Sequence, residues 1–195
     1  MSEPTAPIAC RPVTPKDASA IEQLFSANSI CRGCWCMHWR VEKGGKSWQA
    51  CWGEPNRRAF LKLLKQGHVH GALAFVEDRP VGWCNFGPRE DFPRLKRSRV
   101  LTYKAAPETW SVNCFFITAG WRKRGIAGAL LTSAVETAFE RGARLLEAYP
   151  TPQQPGQNLV APFAWTGTRA LFAKAGFKPN AENARVWVKK RSKRT

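Results

Sequence analysis

Residues 110 to 141 constrain the fold of this chain more than any other stretch. Trp110 to Ile117 is a nearly continuous apolar run of strand length. From Gly125 to Arg141, the residues Ile126, Ala127, Leu130, Leu131, Ala134, Val135, Ala138 and Phe139 recur at alternating spacings of one and three. That period belongs to an amphipathic helix. Gly142 supplies its left-handed C-terminal cap. Between strand and helix stands Arg122-Lys123-Arg124-Gly125-Ile126-Ala127-Gly128. The unpaired N–H groups of a helix start, its positive dipole end and three cations therefore meet at one place. Such a turn is a pyrophosphate cradle. It has neither the Gly-Lys-Ser/Thr ending of a P-loop nor the spacing of a dinucleotide fingerprint. The competing reading is a solvated basic helix end.

The other elements follow from the same patterns. Ile8 to Val13 reads as a strand, and Thr14-Pro15-x-Asp17 as the start of a helix with Ile21, Leu24 and Phe25 inward. A helix is expected from Pro55 to Lys65, with Phe60, Leu61 and Leu64 inward. A hairpin follows, with strands over Gly71 to Val76 and Val81 to Phe86 and a turn over Glu77 to Pro80. Arg89 to Arg99 reads as a loop or irregular helix, and Arg144 to Tyr149 as a strand. After a Pro/Gln/Gly loop over 150–157 come a short helix near Thr168 to Ala175 and a last strand over Ala184 to Lys189. The expected fold is α/β: a mixed, mostly antiparallel sheet with helices on both faces, in one domain over 1–188 and a basic tail over 189–195.

Charge narrows the partners. The 195 residues carry 31 Lys and Arg against 14 Asp and Glu, a formal net charge of +17, so an anionic ligand or surface is expected. The tail could hold weakly to RNA or another anionic surface, or be a solvated end. No recognised nucleic-acid motif is present. No apolar run approaches the ~20 residues of a membrane-spanning helix, and the first residues have no signal-peptide pattern. A cytoplasmic protein with reduced thiols is expected, its seven Cys being an odd number in a chain that needs no staples.

Arg122-x-x-Gly125-x-Ala127 resembles the (Gln/Arg)-x-x-Gly-x-(Gly/Ala) motif of the GNAT superfamily of acetyl-CoA-dependent N-acetyltransferases. The surroundings are similar too. Arg11-Pro12 through Asp17 resembles that family's first strand and helix, and the hairpin ending in Val81-Gly82-Trp83 its second and third strands. Phe115-Phe116-Ile117 resembles its fourth strand, Leu146-Glu147 its fifth, and Phe172 through Gly176-Phe177 its closing helix and turn. Pro88-Arg89, Phe92-Pro93-Arg94-Leu95 and Glu147-x-Tyr149-Pro150 are most similar to a bacterial branch.

The resemblance implies strands four and five splayed into a V that receives acetyl-CoA. Its pantetheine arm would pair with the backbone of Phe115, Phe116 and Ile117. Its pyrophosphate would rest on the turn formed by Arg122, Lys123, Arg124, Gly125, Ile126, Ala127 and Gly128. A primary amine would attack the thioester directly, the Ile117 N–H stabilising the oxyanion. Glu147 stands where several family members carry a general base; the alternative is an ion pair with a nearby Arg. Tyr149 shares its strand face and is either a proton donor or a wall residue. The chain departs from the family at Phe172, where many members carry a proton-donating Tyr, and Asn158 lies too far into its loop to match the Asn usual after strand five. With no such Tyr, a non-catalytic acyl-CoA sensor is a rival reading. A nucleic-acid- or ribosome-associated binding protein is another.

Residues 31–54 hold Cys31-x-x-Cys34-x-Cys36, His38, Cys51 and four of the nine Trp. A second paired knuckle is missing, so no metal is expected and the thiols read as buried or substrate-lining. This is the family's acceptor side. Trp35 with Trp39, and Trp48 with Trp52, are four apart and each pair could share a helix face, as packing or as a wall for the acceptor. His68 and His70 alternate near a strand start without a third ligand.

Overall fold

A computed structural model describes residues 7–42, 46–152 and 164–192. The expected loop beyond 152, Asn158 and the end of the basic tail lie outside them. Seven strands run β1 (Ile8–Pro12), β2 (His70–Val76), β3 (Arg79–Pro88), β4 (Thr109–Ile117), β5 (Leu145–Ala148), β6 (Lys178–Pro179) and β7 (Trp187–Lys190). They form one sheet in the order β1-β2-β3-β4-β5-β7-β6. Every neighbouring pair is antiparallel except β4 and β5. The helices are α1 (Ala18–Ser26), α2 (Ser29–Cys34), α3 (Lys46–Cys51), α4 (Glu54–Lys65), α5 (Pro93–Arg97), α6 (Ile126–Glu140) and α7 (Arg169–Lys174).

Helix α6 covers one face. Ile126, Leu130, Leu131, Ala134 and Ala138 pack on Ala72, Ala74, Val81, Val112 and Leu146. Helices α1, α2 and α4 cover the other, where Ile21, Phe25, Trp35 and Phe60 pack on Leu73 and Trp83. At the entrance to α1, Asp17 accepts from Arg11 and from the Thr14 N–H at 2.8 Å, and these bonds, Arg11 first, hold its carboxyl at about 2.

Several elements differ from the sequence reading. Helix α2 ends at Cys34 because Trp35 and Cys36 are left-handed, φ 48° and 47°, so Trp35 and Trp39 share no helix face. Trp35 is core, whereas Trp39 points elsewhere. The hairpin turn tightens to Glu77-Asp78, since pairing already begins at Val76 and Arg79. Arg89–Asp91 is a turn of 3-10 helix leading into α5. The short β6 was not expected. The last strand, read as Ala184 to Lys189, is β7 over Trp187–Lys190, so that Lys190, read as tail, pairs opposite Leu145.

The decisive feature is how β4 and β5 part. They pair only over Thr109↔Leu145 to Val112↔Ala148. On the other edge of β4, Asn85 faces Cys114 while Phe86 faces Val112, leaving Asn113 as a bulge. A bulge bends its strand, and beyond it β4 runs on to Ile117 without β5.

Candidate active site

The anion cradle lies at the start of α6. Gly125 is its N-cap with φ 82°, and the first helical bond runs from the Ala129 N–H to the Gly125 carbonyl at 3.1 Å. The N–H groups of Ile126, Ala127 and Gly128 in the first turn are therefore without helical partners. Lys123 is also left-handed, φ 61°, so the backbone reverses twice within three residues. A Cβ placed on Gly120, Gly125 or Gly128 would meet nothing within 4 Å, so the space over the turn is open. These residues fit a pyrophosphate: backbone donors and the helix dipole meet open space, with Lys123 and Arg124 exposed beside it. Two of the expected ligands also have structural duties. Arg122 Nε donates to the Ile117 carbonyl at 3.1 Å and ties the turn to the end of β4. Arg124 lies over the Trp121 ring at 4.9 Å.

The splayed edge of β4 leads from this cradle to the second cluster. The Phe115 N–H donates to the Trp165 carbonyl at 2.6 Å. N–H directions alternate along a strand, so the Ile117 N–H faces the same open side. The side chains of Trp110, Val112, Leu146 and Ala148 point to the α6 face. Ser111, Glu147 and Tyr149 therefore point to the opposite face, where Tyr149 packs with Phe92 and Leu95 of the α5 segment.

Glu147 is fully buried and surrounded by donors. Arg89 Nε stands 2.9 Å from Oε1 as an ion pair, though its N–H is not aligned for a hydrogen bond. Ser111 Oγ donates to Oε1 at 2.5 Å, Tyr103 OH donates to Oε2 at 2.5 Å, and Tyr149 OH donates to Oε1. Ser111 Oγ and Tyr149 OH are 3.0 Å apart. A buried carboxylate is tolerable only with compensation of this kind. Burial first, then the Glu147 charge, raises the Tyr149 and Tyr103 hydroxyls above the ordinary tyrosine value, so both stay protonated. The ion pair weighed from sequence is thus present, with Arg89 of the Pro88-Arg89 motif as partner. Ser111 and Tyr103 were missed. Ser111 is brought opposite Glu147 only by the pairing of β4 with β5, and Tyr103 comes from a loop with no pattern of its own.

Aromatic rings lead outward from Tyr149. Its ring centroid is 6.0 Å from Trp39, which is 5.6 Å from Trp165. Trp165 is 5.1 Å from His38, His38 is 5.5 Å from Trp48, and Trp48 is 5.6 Å from Trp52. Trp39 Nε1 donates to the Asn113 carbonyl at the bulge, 3.1 Å away. His38 Nδ1 faces Arg94 Nη1 at 3.2 Å. Burial, then Arg94, lowers His38 to about 4, so its ring is neutral at physiological pH.

Phe172 is core. It is fully buried against Phe177 at 5.3 Å and Phe115 at 6.1 Å, and a Cβ on Gly167 would fall 2.7 Å from its ring. A Phe172→Tyr hydroxyl would enter this contact unpaired, at a cost of about 1–3 kcal/mol. Urea unfolding should show that loss, with no gain in turnover. The cysteines are free thiols. Cys36 Sγ accepts from Trp83 Nε1 at 3.0 Å, and burial, then Cys36, pushes the Cys34 thiol up to about 12. Among the described residues no three His, Cys, Asp or Glu are placed to hold a metal ion. No described helix is long and apolar enough to cross a membrane.

The model of the acetyltransferase (GNAT) family matches residues 36–161. The chain belongs to the GNAT acetyltransferase family. Solved structures share its fold at low identity. One is a GNAT family N-acetyltransferase from Escherichia coli in complex with CoA, 15% identical with TM-score 0.54, covering 97% of this chain and 84% of that one. Another is the PaiA N-acetyltransferase from Thermoplasma acidophilum in complex with coenzyme A, 14% identical with TM-score 0.53, covering 95% and 99%. A third is an N-acetyltransferase from Staphylococcus aureus, 16% identical with TM-score 0.52, covering 95% and 99%. No curated protein matches the sequence. As a GNAT acetyltransferase this chain uses an acyl-CoA, and the cradle before α6 is where its residues suit one.

Proposed function

We propose that this acetyltransferase moves the acetyl group of acetyl-CoA to a primary amine within a ternary complex. One observation carries the reading: where β4 and β5 part, an open anion cradle lies at one end of the gap, and a buried carboxylate ringed by hydroxyls lies beside it. Acetyl-CoA supplies the activated acyl group. The turn from Arg122 to Gly128 holds its phosphates, and Phe115, Phe116 and Ile117 offer it a strand edge that β5 does not cover. Pairing along that edge replaces the bond between the Phe115 N–H and Trp165. The Ile117 N–H takes up charge developing on the acyl oxygen.

Glu147 acts as base through its neighbours. Its oxygens are covered by Tyr149, Ser111 and Tyr103, so the incoming ammonium does not meet the carboxylate itself. Tyr149 hands its proton to Oε1 while taking one from the amine or from an intervening water. The same hydroxyl returns a proton once the thiolate leaves, a role Phe172 cannot fill. A thiolate is a tolerable leaving group near neutral pH without further help. We infer a cytoplasmic setting, a reading supported by the seven free cysteines.

A thiol-release assay with acetyl-CoA and a panel of amines tests this. Thiol should appear only with an amine present, in step with N-acetylated product. Tight acetyl-CoA binding without turnover on any amine would mark a sensor instead.

A further inference from the structure

The proposed acceptor site has its recognition surface in the row of rings from Tyr149 to Trp52. The row begins beside the Glu147 network, where Tyr149 is buried, and ends at Trp52, which is 45% exposed. Trp39, Trp165, His38 and Trp48 between them are each partly exposed. Successive centroids are 5.1 to 6.0 Å apart, so no break separates surface from interior.

The polar groups on this face leave little for a cation to hold. Glu147 is already engaged by Arg89 and three hydroxyls. Arg94 reaches the site and bonds the His38 ring and carbonyl. The segment supplying Arg89, Arg94 and Tyr103 has six cations (Arg89, Arg94, Lys96, Arg97, Arg99, Lys104) against two acids (Glu90, Asp91). A polycation would approach against this field. A flat apolar group carrying one amine would not, and it would stack on indole faces with its ammonium favoured by their quadrupoles.

Resting on the amine-acetylation reading, we propose that the acceptor is a monoamine borne on an aromatic or similarly flat apolar group, and that the Trp39–Trp165–Trp48 row selects it. Recognition is by ring burial along the row. Polyamines and polycationic amino sugars are excluded by the basic segment and by the saturated carboxylate.

The test compares 2-phenylethylamine with spermidine, by turnover with acetyl-CoA and by calorimetric titration into the CoA-loaded protein. Turnover and affinity should favour 2-phenylethylamine on the order of 100-fold, the value of burying one ring. Trp48→Ala removes a ring remote from β4. It should raise the KM for 2-phenylethylamine about tenfold while kcat and the KM for acetyl-CoA hold, as lost uniform binding requires. Trp48→Phe should restore most of the affinity and covers the case in which the Ala variant folds poorly. Spermidine preferred or equal overturns the proposal, as does a Trp48→Ala protein with unchanged KM. Should 2-phenylethylamine bind selectively in the titration yet never be acetylated, the aromatic site stands and the amine-transfer reading falls.

Discussion

A Gly128→Asp protein is expected to fold as the parent does and to lose its response to acetyl-CoA. Open space surrounds the missing Cβ, so the side chain meets no clash. An acid in the first turn of a helix is favourable to the dipole, by roughly 0.3–1 kcal/mol. The unliganded protein should therefore melt at the same temperature or slightly higher. The carboxylate, however, would stand in the space proposed for the diphosphate, beside the unpaired N–H groups of the first turn of α6. For the parent, acetyl-CoA at 100 times its Kd should add about 2.7 kcal/mol, or roughly 5–10 °C for a chain of this size. The variant should show almost none of that shift in a thermal melt. Gly125→Asp should lose it too, but with a lower starting temperature, because φ 82° strains any side chain there. Gly125→Ala separates the effects: strain without charge lowers the melting point but keeps much of the shift. A full shift in Gly128→Asp would remove the cradle from the turn.

The second large effect is on rate. Glu147→Gln preserves size and most hydrogen bonding but cannot take a proton. At saturating substrates kcat should fall about 10²–10⁴-fold, while the acetyl-CoA Kd stays close to the parent value. The deficit should shrink as pH rises toward the amine's own pKa, because more of the acceptor then arrives neutral. Structural damage would look different. The substitution leaves the partly buried Arg89 without its countercharge, so some stability is lost. That loss appears in the melting temperature and is independent of the pH of the assay. Tyr149→Phe breaks the relay next to the carboxylate and should reproduce part of the kcat loss with the ion pair intact. Full activity of Glu147→Gln at neutral pH would end its assignment as base.

How much of this was legible beforehand depends on whether a feature is local. The run Trp110–Ile117, the basic glycine turn and the stripe of α6 are patterns within about thirty consecutive residues, and the periods of strand and helix show directly in such windows. The helix cap at Gly142, φ 96°, and the Thr168 cap of α7, whose hydroxyl accepts from the Leu171 N–H at 3.2 Å, are equally local. Trp35 shows where local pattern fails. Its spacing from Trp39 suited one helix face, but burial between Phe25 and Phe60 drew it into the core and the chain turned left-handed to allow it.

The site itself needed the fold. By itself the sequence determined that a strand, a basic glycine turn and a helix follow one another, and that Glu147 and Tyr149 share a strand face. Which groups answer Glu147 was decided only in three dimensions. Arg89, Tyr103 and Ser111 lie 58, 44 and 36 residues away along the chain, and no periodicity links them. The bulge at Asn113 likewise exists only because β3 and β4 pair out of step. That mismatch opens β4 from β5, and a property of two strands' register cannot be read from either strand alone.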